Sequence, residues 1–400
     1  MSLNNMLIRI SPNKRCFVYK DGTPFFWLGD TQWELFRLFS MDDVETILEN
    51  RKNKGFTAIQ IMFTGVGDGT KPNIDGQTPW INNDPAKPNE AYFKRVDQVI
   101  ELALKKGIII VPGVFHQLQV SLITLNNARN YAKWLAQRYK DFPNIIWSMY
   151  PKAEMGYLPV VRELAIGLQD GDEGLHLISV HPDPSVTSSS FIHSESWLAF
   201  NIIQPWLYHE RIYQMVTYDY NLVPTKPTVM AEAGYEGAGF RKKIQNPHDI
   251  RKQAYWSYLA GGHHSYGNDK NYTDPSSLKT WIDSPGSFHV GVYKDIITSC
   301  NEWWNWIPDQ SIFADGENSG LDLNVSARSA NGDWIMAYLS TNTSVSIRMD
   351  QITAGTKIQA IWINPINGER TLIGEYENTD IQSFKTPDDW DDAVLLLKSI

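Results

Sequence analysis

The sequence predicts an α/β fold, a (β/α)8 TIM barrel followed by a small C-terminal antiparallel β-sandwich. From Phe25 to about Gly267, eight short apolar runs rich in β-formers alternate with longer stretches of helical period. Strands buried on both faces and separated by helices argue for parallel pairing around a closed barrel. The turn after the first run reads "GDTQWELF", with one glycine and no phosphate cradle, which argues against an open doubly wound sheet. After "NEWWNWIPDQ" the period changes to short runs split by turn signals such as "NGD" and "INGE".

In chain order, "LIRISPNKRCFVYKDGTPFF" predicts a hairpin over residues 1–24 that closes the barrel bottom or touches the β-domain. The barrel is expected over 25–309. Its strand candidates are "FFWLGD", "AIQIMF", "GIIIVPGVF", "NIIWSMY", "HLISVHP", "FNIIQPW", "PTVMAEAGY" and "HHSYGND". Helices are expected over Met41 to Lys54, Tyr92 to Lys106, Leu125 to Tyr139, Pro159 to Gln169, Glu210 to Tyr220 and Pro247 to Leu259. Ser40 precedes an acidic first turn and is a good N-cap. "WIMAYLS", "VSIRMD", "KIQAIWINP", "RTLIGEY" and "AVLLLKS" predict the strands of a β-sandwich over 310–400, expected to pack against the barrel.

The chain has 400 residues and a net charge of -9, with no Lys and Arg run able to track phosphates, which excludes a nucleic-acid partner. No apolar run approaches the roughly 18 residues of a membrane helix, so no membrane partner is expected. Cys16 and Cys300 form neither a disulfide framework nor a zinc spacing. The N-terminus lacks a signal-peptide pattern, so a cytoplasmic location is expected, with secretion open if a leader was replaced. Fifteen Trp and 18 Tyr supply flat apolar faces with a polar edge, suited both to large cores and to sugar rings.

In such a barrel the working residues sit at the C-terminal ends of strands. Those ends carry Asp30, Trp33, Gln60, Phe63, His116, Gln117, Lys152, Glu154, His181, Gln204, Trp206, Glu232, Tyr235, Glu236, Tyr266, Asn268 and Asp269. This mixture of carboxylates, amides, imidazoles and aromatics suits a carbohydrate substrate. Glu232 ends an otherwise apolar strand, where a charge is unfavourable unless paired or used. As a nucleophile it would be held by the Tyr235 hydroxyl; the alternative is a structural salt bridge. Glu236 is expected to bind substrate or cap a helix. His263 and His264 point to opposite strand faces and cannot share a metal, one being a core residue and the other a rim residue. "GVGDGTKP" lacks the ending of a nucleotide loop and reads as a substrate loop. No metal or organic cofactor is expected.

These segments, with "DGTPFFWLGDTQWELF", "PNIIW", "HPDPSVTSSSFIHSESWLAFNIIQ", "KPTVMAEAGYE", "RKQAYWSYLAGGHHSYGND", "WWNWIPDQ" and "AIWINPINGE", resemble the apiosidase-like glycoside hydrolases over nearly the whole chain. That family joins a (β/α)8 barrel to a small β-domain whose label refers to collagen binding. The resemblance implies retaining hydrolysis of a glycosidic bond, with apiose-containing pectic side chains among the substrates. It implies a nucleophile at Glu232 and an acid/base aspartate in a strand-four motif close to W-x-x-G-G-D. Here that motif reads Trp147-Ser-Met-Tyr-Pro-Lys152, so both glycines and the aspartate are replaced. Three routes stay open: Glu154 supplies the acid; His116, His181 or Glu236 does; or hydrolysis has been lost and a sugar-binding groove kept. Lys152 beside Glu232 would favour the carboxylate but would be a poor proton donor. The expected catalytic pair is Glu232 and Glu154, with Asp30, Trp33, His116, Lys152, His181, Gln204, Tyr235, Glu236, Tyr266 and Asn268 binding substrate. The sugar, the linkage and the oligomeric state are left open.

Overall fold

Eight parallel strands form one curled sheet: β1 (Leu28–Thr31), β2 (Ala58–Met62), β3 (Ile109–His116), β4 (Trp147–Tyr150), β5 (Ile178–Val180), β6 (Asn201–Gln204), β7 (Thr228–Met230) and β8 (His263–Tyr266). This computed structural model describes residues 5–150, 155–206, 208–240, 243–271 and 274–400. The hydrogen-bonded order is β5-β4-β3-β2-β1-β8-β7-β6, with Val186–Thr187 added antiparallel to β6 as a ninth strand. The curl brings β5 against the segment leading into β6. There Ile178 bridges Leu198, and the Ala199 amide donates to the Ile178 carbonyl at 2.9 Å.

Helices link most of these strands, each with the sequence features that favour one. Met41–Asn53 opens on a capping box between Ser40 and Asp43, and Glu90–Lys106 ends on Gly107 in the left-handed conformation. Ala128–Tyr139, Leu158–Asp172, Ile212–Tyr220 and Pro247–Leu259 follow β3, β4, β6 and β7. Between β5 and β6 the helical element is the single turn Ser189–Ile192. A further helix, Pro285–Thr298, which the pattern did not predict, follows β8; Gly, Ser and His blur its apolar stripe.

The interior of the curled sheet changes character along the strands because alternate strand residues point inward. Ala58, Ile202, Val229 and Ala231 form an apolar layer with Ile109, Val111, Ile146 and Phe200. Two residues further up β2 and β6 stand Gln60 and Gln204, both buried. The N-terminal segment is a three-stranded antiparallel sheet, Ile8–Ile10, Phe17–Tyr19 and Pro24–Phe25, rather than a plain hairpin. It seals the apolar layer from below, with Phe17 5.2 Å from the rings of Trp27 and Phe200. His263 and His264 open β8 at this end and are both fully buried, so neither is the expected rim residue. His263 meets Phe17, and His264 meets Tyr293 on the outer helix.

The C-terminal region pairs a six-stranded antiparallel sheet with a three-stranded one. The larger sheet takes its first strand from Trp306–Pro308, just ahead of the expected boundary. Along Trp334–Leu339, alternate residues face opposite cores. Ile335, Ala337 and Leu339 pack towards the smaller sheet, while Trp334, Met336 and Tyr338 pack on the barrel helices. Tyr338 stacks on Tyr255 at 4.3 Å and Trp306 on Tyr258 at 4.5 Å. Within this contact the Arg251 guanidinium holds Asp392 through two bonds of 2.7 and 2.8 Å, and Tyr338 donates to the same carboxylate.

Removing one partner of that buried pair strands the other charge. Asp392→Ala is expected to lose roughly 3–5 kcal/mol of stability in urea denaturation. A loss below about 1 kcal/mol would contradict the buried-pair assignment.

Candidate active site

The strand ends open into a cleft of about 500 Å³, counting its mouth, lined by Trp33, Met62, Val66, His116, Tyr150, Pro184, Gln204, Trp206 and Glu232. Each wall has a local cause. The register between β3 and β4 shifts from Gly113 to His116, which sets His116 opposite Tyr150. Their rings lie parallel, 5.3 Å apart and 5° from coplanar. Gly113 permits the close strand approach, since a Cβ there would sit 2.3 Å from the Met62 sulfur. Trp206 takes a left-handed φ of 54°, unusual for a bulky residue, and its ring meets Tyr235 edge-on at 5.7 Å. The "GVGDGTKP" loop gives the wall Val66, whose amide donates to Glu34 Oε1 at 2.9 Å.

Glu232 is the only carboxylate among the described lining residues. It lies just past β7 and is 4% exposed. Tyr235 donates its hydroxyl hydrogen to Oε1, and Gln204 Nε2 donates to Oε2 at 2.7 Å. Trp33 Nε1 in turn donates to the Tyr235 oxygen at 2.8 Å, fixing the phenol. His181 Nε2 lies 3.4 Å from Oε2. Burial pushes the Glu232 carboxyl up to about 7, partly offset by the bonds from Tyr235 and Trp33. Burial also pushes His181 down to about 3 and His116 to about 4, each opposed by a bond to backbone, so both imidazoles are neutral near pH 7.

Of the residues read from strand ends, the structure therefore brings together Glu232, Tyr235, Gln204, Trp33, His181 and His116. It turns four others away. Asp30 is fully buried against Arg51 Nε at 2.7 Å and Gln32 Nε2 at 2.7 Å, an internal ion pair rather than a cleft group. Glu236 accepts the Tyr266 hydroxyl at 2.6 Å and the Gly286 amide at 2.9 Å. It caps the start of Pro285–Thr298, a helix the sequence pattern did not predict. Tyr266 and Asn268 belong to that cap, Asn268 donating to Ser284 at 3.0 Å. Lys152 and Glu154 lie outside the described residues. Met62, Val66, Tyr150 and Pro184 line the cleft without having been read from strand ends, and Trp206, which stands at one, lines it too. A signal existed for Tyr150, the last residue of its run.

No group of three or more His, Cys, Asp or Glu side chains suited to a metal occurs among the described residues. Nor is any described helix long and apolar enough to cross a membrane.

Solved structures of similar shape are glycoside hydrolases. One described as a glycoside hydrolase superposes with a TM-score of 0.91 at 26% identity, covering 99% of this chain and 97% of its own. A family 5 glycoside hydrolase from Bacteroides vulgatus ATCC 8482 gives a TM-score of 0.91 at 25% identity, covering 99% and 94%. A structure from that organism described as a "putative glycoside hydrolase", at 16% identity, shares the fold with a TM-score of 0.77, covering 100% and 83%. No curated protein matches the sequence. The profile of the apiosidase-like catalytic domain matches residues 11–305, and the chain belongs to that family. Residues 307–398 match a domain described as "Putative collagen-binding domain of a collagenase".

The raised Glu232 carboxyl also sets a pH dependence of stability. Between its ordinary 4.5 and about 7, the folded protein holds a proton that the unfolded chain has lost. Stability therefore falls as pH rises through that window, by roughly 3 kcal/mol when complete. Glu232→Gln is expected to flatten the decline and to melt higher than the parent at pH 8. Parallel melting curves from pH 5 to 8 would contradict the assignment.

Proposed function

We propose that this protein is a retaining glycosidase acting on a neutral sugar, with its eight parallel strands working as a closed (β/α)8 barrel backed by a small β-sandwich. The observation that carries the reading is Glu232, a buried carboxyl held on both oxygens by donors and facing an aromatic-walled cleft. Such an arrangement suits a nucleophile. The bonds fix the attacking oxygen, and the carboxylate would add to the anomeric carbon to give a glycosyl ester that water later opens. The flat faces of Trp33, Trp206, Tyr150 and His116 can pack on the faces of a sugar ring. No Lys or Arg is among the described lining residues, which favours an uncharged sugar.

The acid/base is assigned to Glu154, the next carboxylate after β4. Retention needs the two carboxyl groups about 5–5.5 Å apart, which the loop after Tyr150 would have to provide. Loss of that acid would leave a sugar-binding protein in the same fold, the reading favoured by the lysine at position 152.

A panel of aryl glycosides with good leaving groups separates these readings, since such substrates need little protonation. Wild type is expected to turn over at least one, with Glu232→Ala slower by about 10³ or more. Glu154→Ala is expected to keep activity on activated substrates, lose it on natural linkages and recover rate with azide. Binding of sugars without cleavage of any glycoside would overturn the enzyme reading.

A further inference from the structure

The contact between His181 and Glu232 lacks something that the heavy atoms alone do not show. His181 Nδ1 lies 3.1 Å from the Pro182 carbonyl oxygen, which can only accept, so Nδ1 carries the ring hydrogen of the neutral imidazole. Nε2 then presents a lone pair. It is buried, with no hydrogen-bond partner among the described residues, and 3.4 Å from Glu232 Oε2. Two acceptors facing each other in a dry site repel, and the contact becomes favourable only with a proton between them.

The remaining bonds of Glu232 place that proton. Oε1 accepts from Tyr235, as the carbonyl oxygen of a carboxylic acid would. Oε2 accepts from Gln204 and, as a hydroxyl, still has one hydrogen to give. Among the described residues, His181 Nε2 is the acceptor in reach, at 3.4 Å. With that hydrogen in place, the polar atoms of the Glu232 carboxyl and the His181 ring all have partners.

We infer that His181 is the positioning residue that sets the charge of Glu232, the two side chains sharing one proton between Oε2 and Nε2 in the resting protein. This deepens the glycosidase reading and rests on it for its meaning in catalysis. To free the nucleophile, the O–H bond of Glu232 breaks and an N–H bond forms at His181 Nε2. The products are a carboxylate and an imidazolium whose two N–H groups point at Glu232 and at Pro182. No other reactant is needed, and the proton returns when the carboxylate is regenerated. The other titratable groups facing the pair, among the described residues, are Tyr235 and Tyr150, the latter with its ring 4.5 Å from His181 and His116 stacked behind it. No Arg, Lys or second carboxylate among those residues is ion-paired with either partner.

The pair can be observed without any substrate, which separates this inference from the glycosidase reading. Full-length protein labelled with ¹³C at Glu carboxyls and ¹⁵N in His rings is titrated by NMR from pH 4 to 9. Glu232 is assigned by the resonance lost in Glu232→Gln and His181 by that lost in His181→Gln. In wild type the Glu232 carboxyl and His181 Nε2 are expected to shift together with one midpoint near 7. In Glu232→Gln the His181 step is expected to vanish, because the amide supplies a fixed donor. In His181→Gln the side-chain amide donates to Oε2, and the Glu232 midpoint is expected to fall by about one unit or more. Where hydrolysis is found, the acid limb of kcat/KM moves down with it. Separate midpoints in wild type, or a Glu232 midpoint unmoved in His181→Gln, would overturn the inference; the wild-type comparison decides even if that variant does not fold.

Discussion

The burial of a single carboxyl group governs the architecture of the cleft. Glu232 sits where the apolar layer inside the curled sheet ends, and burial there disfavours its charged form strongly enough to lift its titration to about 7. Its neighbours answer that cost. Tyr235 and Gln204 donate to its oxygens, Trp33 fixes Tyr235, and His181 Nε2 lies 3.4 Å from Oε2. Removing the carboxyl would leave a row of buried donors and acceptors with no common partner.

More distant parts of the fold hold that arrangement still. Gln253, on the helix Pro247–Leu259, donates to the Gly234 carbonyl at 3.0 Å, in the same loop as Glu232 and Tyr235. The same helix carries Arg251, which is anchored by Asp392 of the C-terminal sheet. Further along the loop, Glu236 ties it to the start of Pro285–Thr298. The C-terminal sheet is thus coupled through packed helices to the loop bearing Glu232, a structural role that stands apart from any ligand of its own.

The sequence made some of this legible and hid the rest for definite reasons. Eight apolar runs with helical stretches between them can be read because burial on both faces leaves a compositional trace. Glu232 could be found because a carboxylate after "PTVMA" conflicts with its surroundings. Position at a strand end, however, says how high a residue stands and not which way it points. Asp30 stands at the right height but turns to Arg51, and Glu236 turns to a helix start whose helix the pattern did not reveal. Tyr150 and Trp206 reach the cleft through a register shift and a left-handed backbone, both fixed by tertiary packing. The β4 motif departs from the family pattern at Lys152, and the local sequence offers Glu154 without fixing its geometry.

The proposed retaining mechanism requires Glu232 to bond covalently to the substrate's anomeric carbon. The most direct measurement is mass spectrometry after incubation with 2-deoxy-2-fluoro glycosides bearing a good leaving group, which slow hydrolysis of the glycosyl ester more than its formation. The account predicts a mass increase of one fluorosugar, mapped by peptide fragmentation to Glu232 and absent in Glu232→Gln. Labelling at another residue, or release of the leaving group without any adduct on the chain, would contradict it.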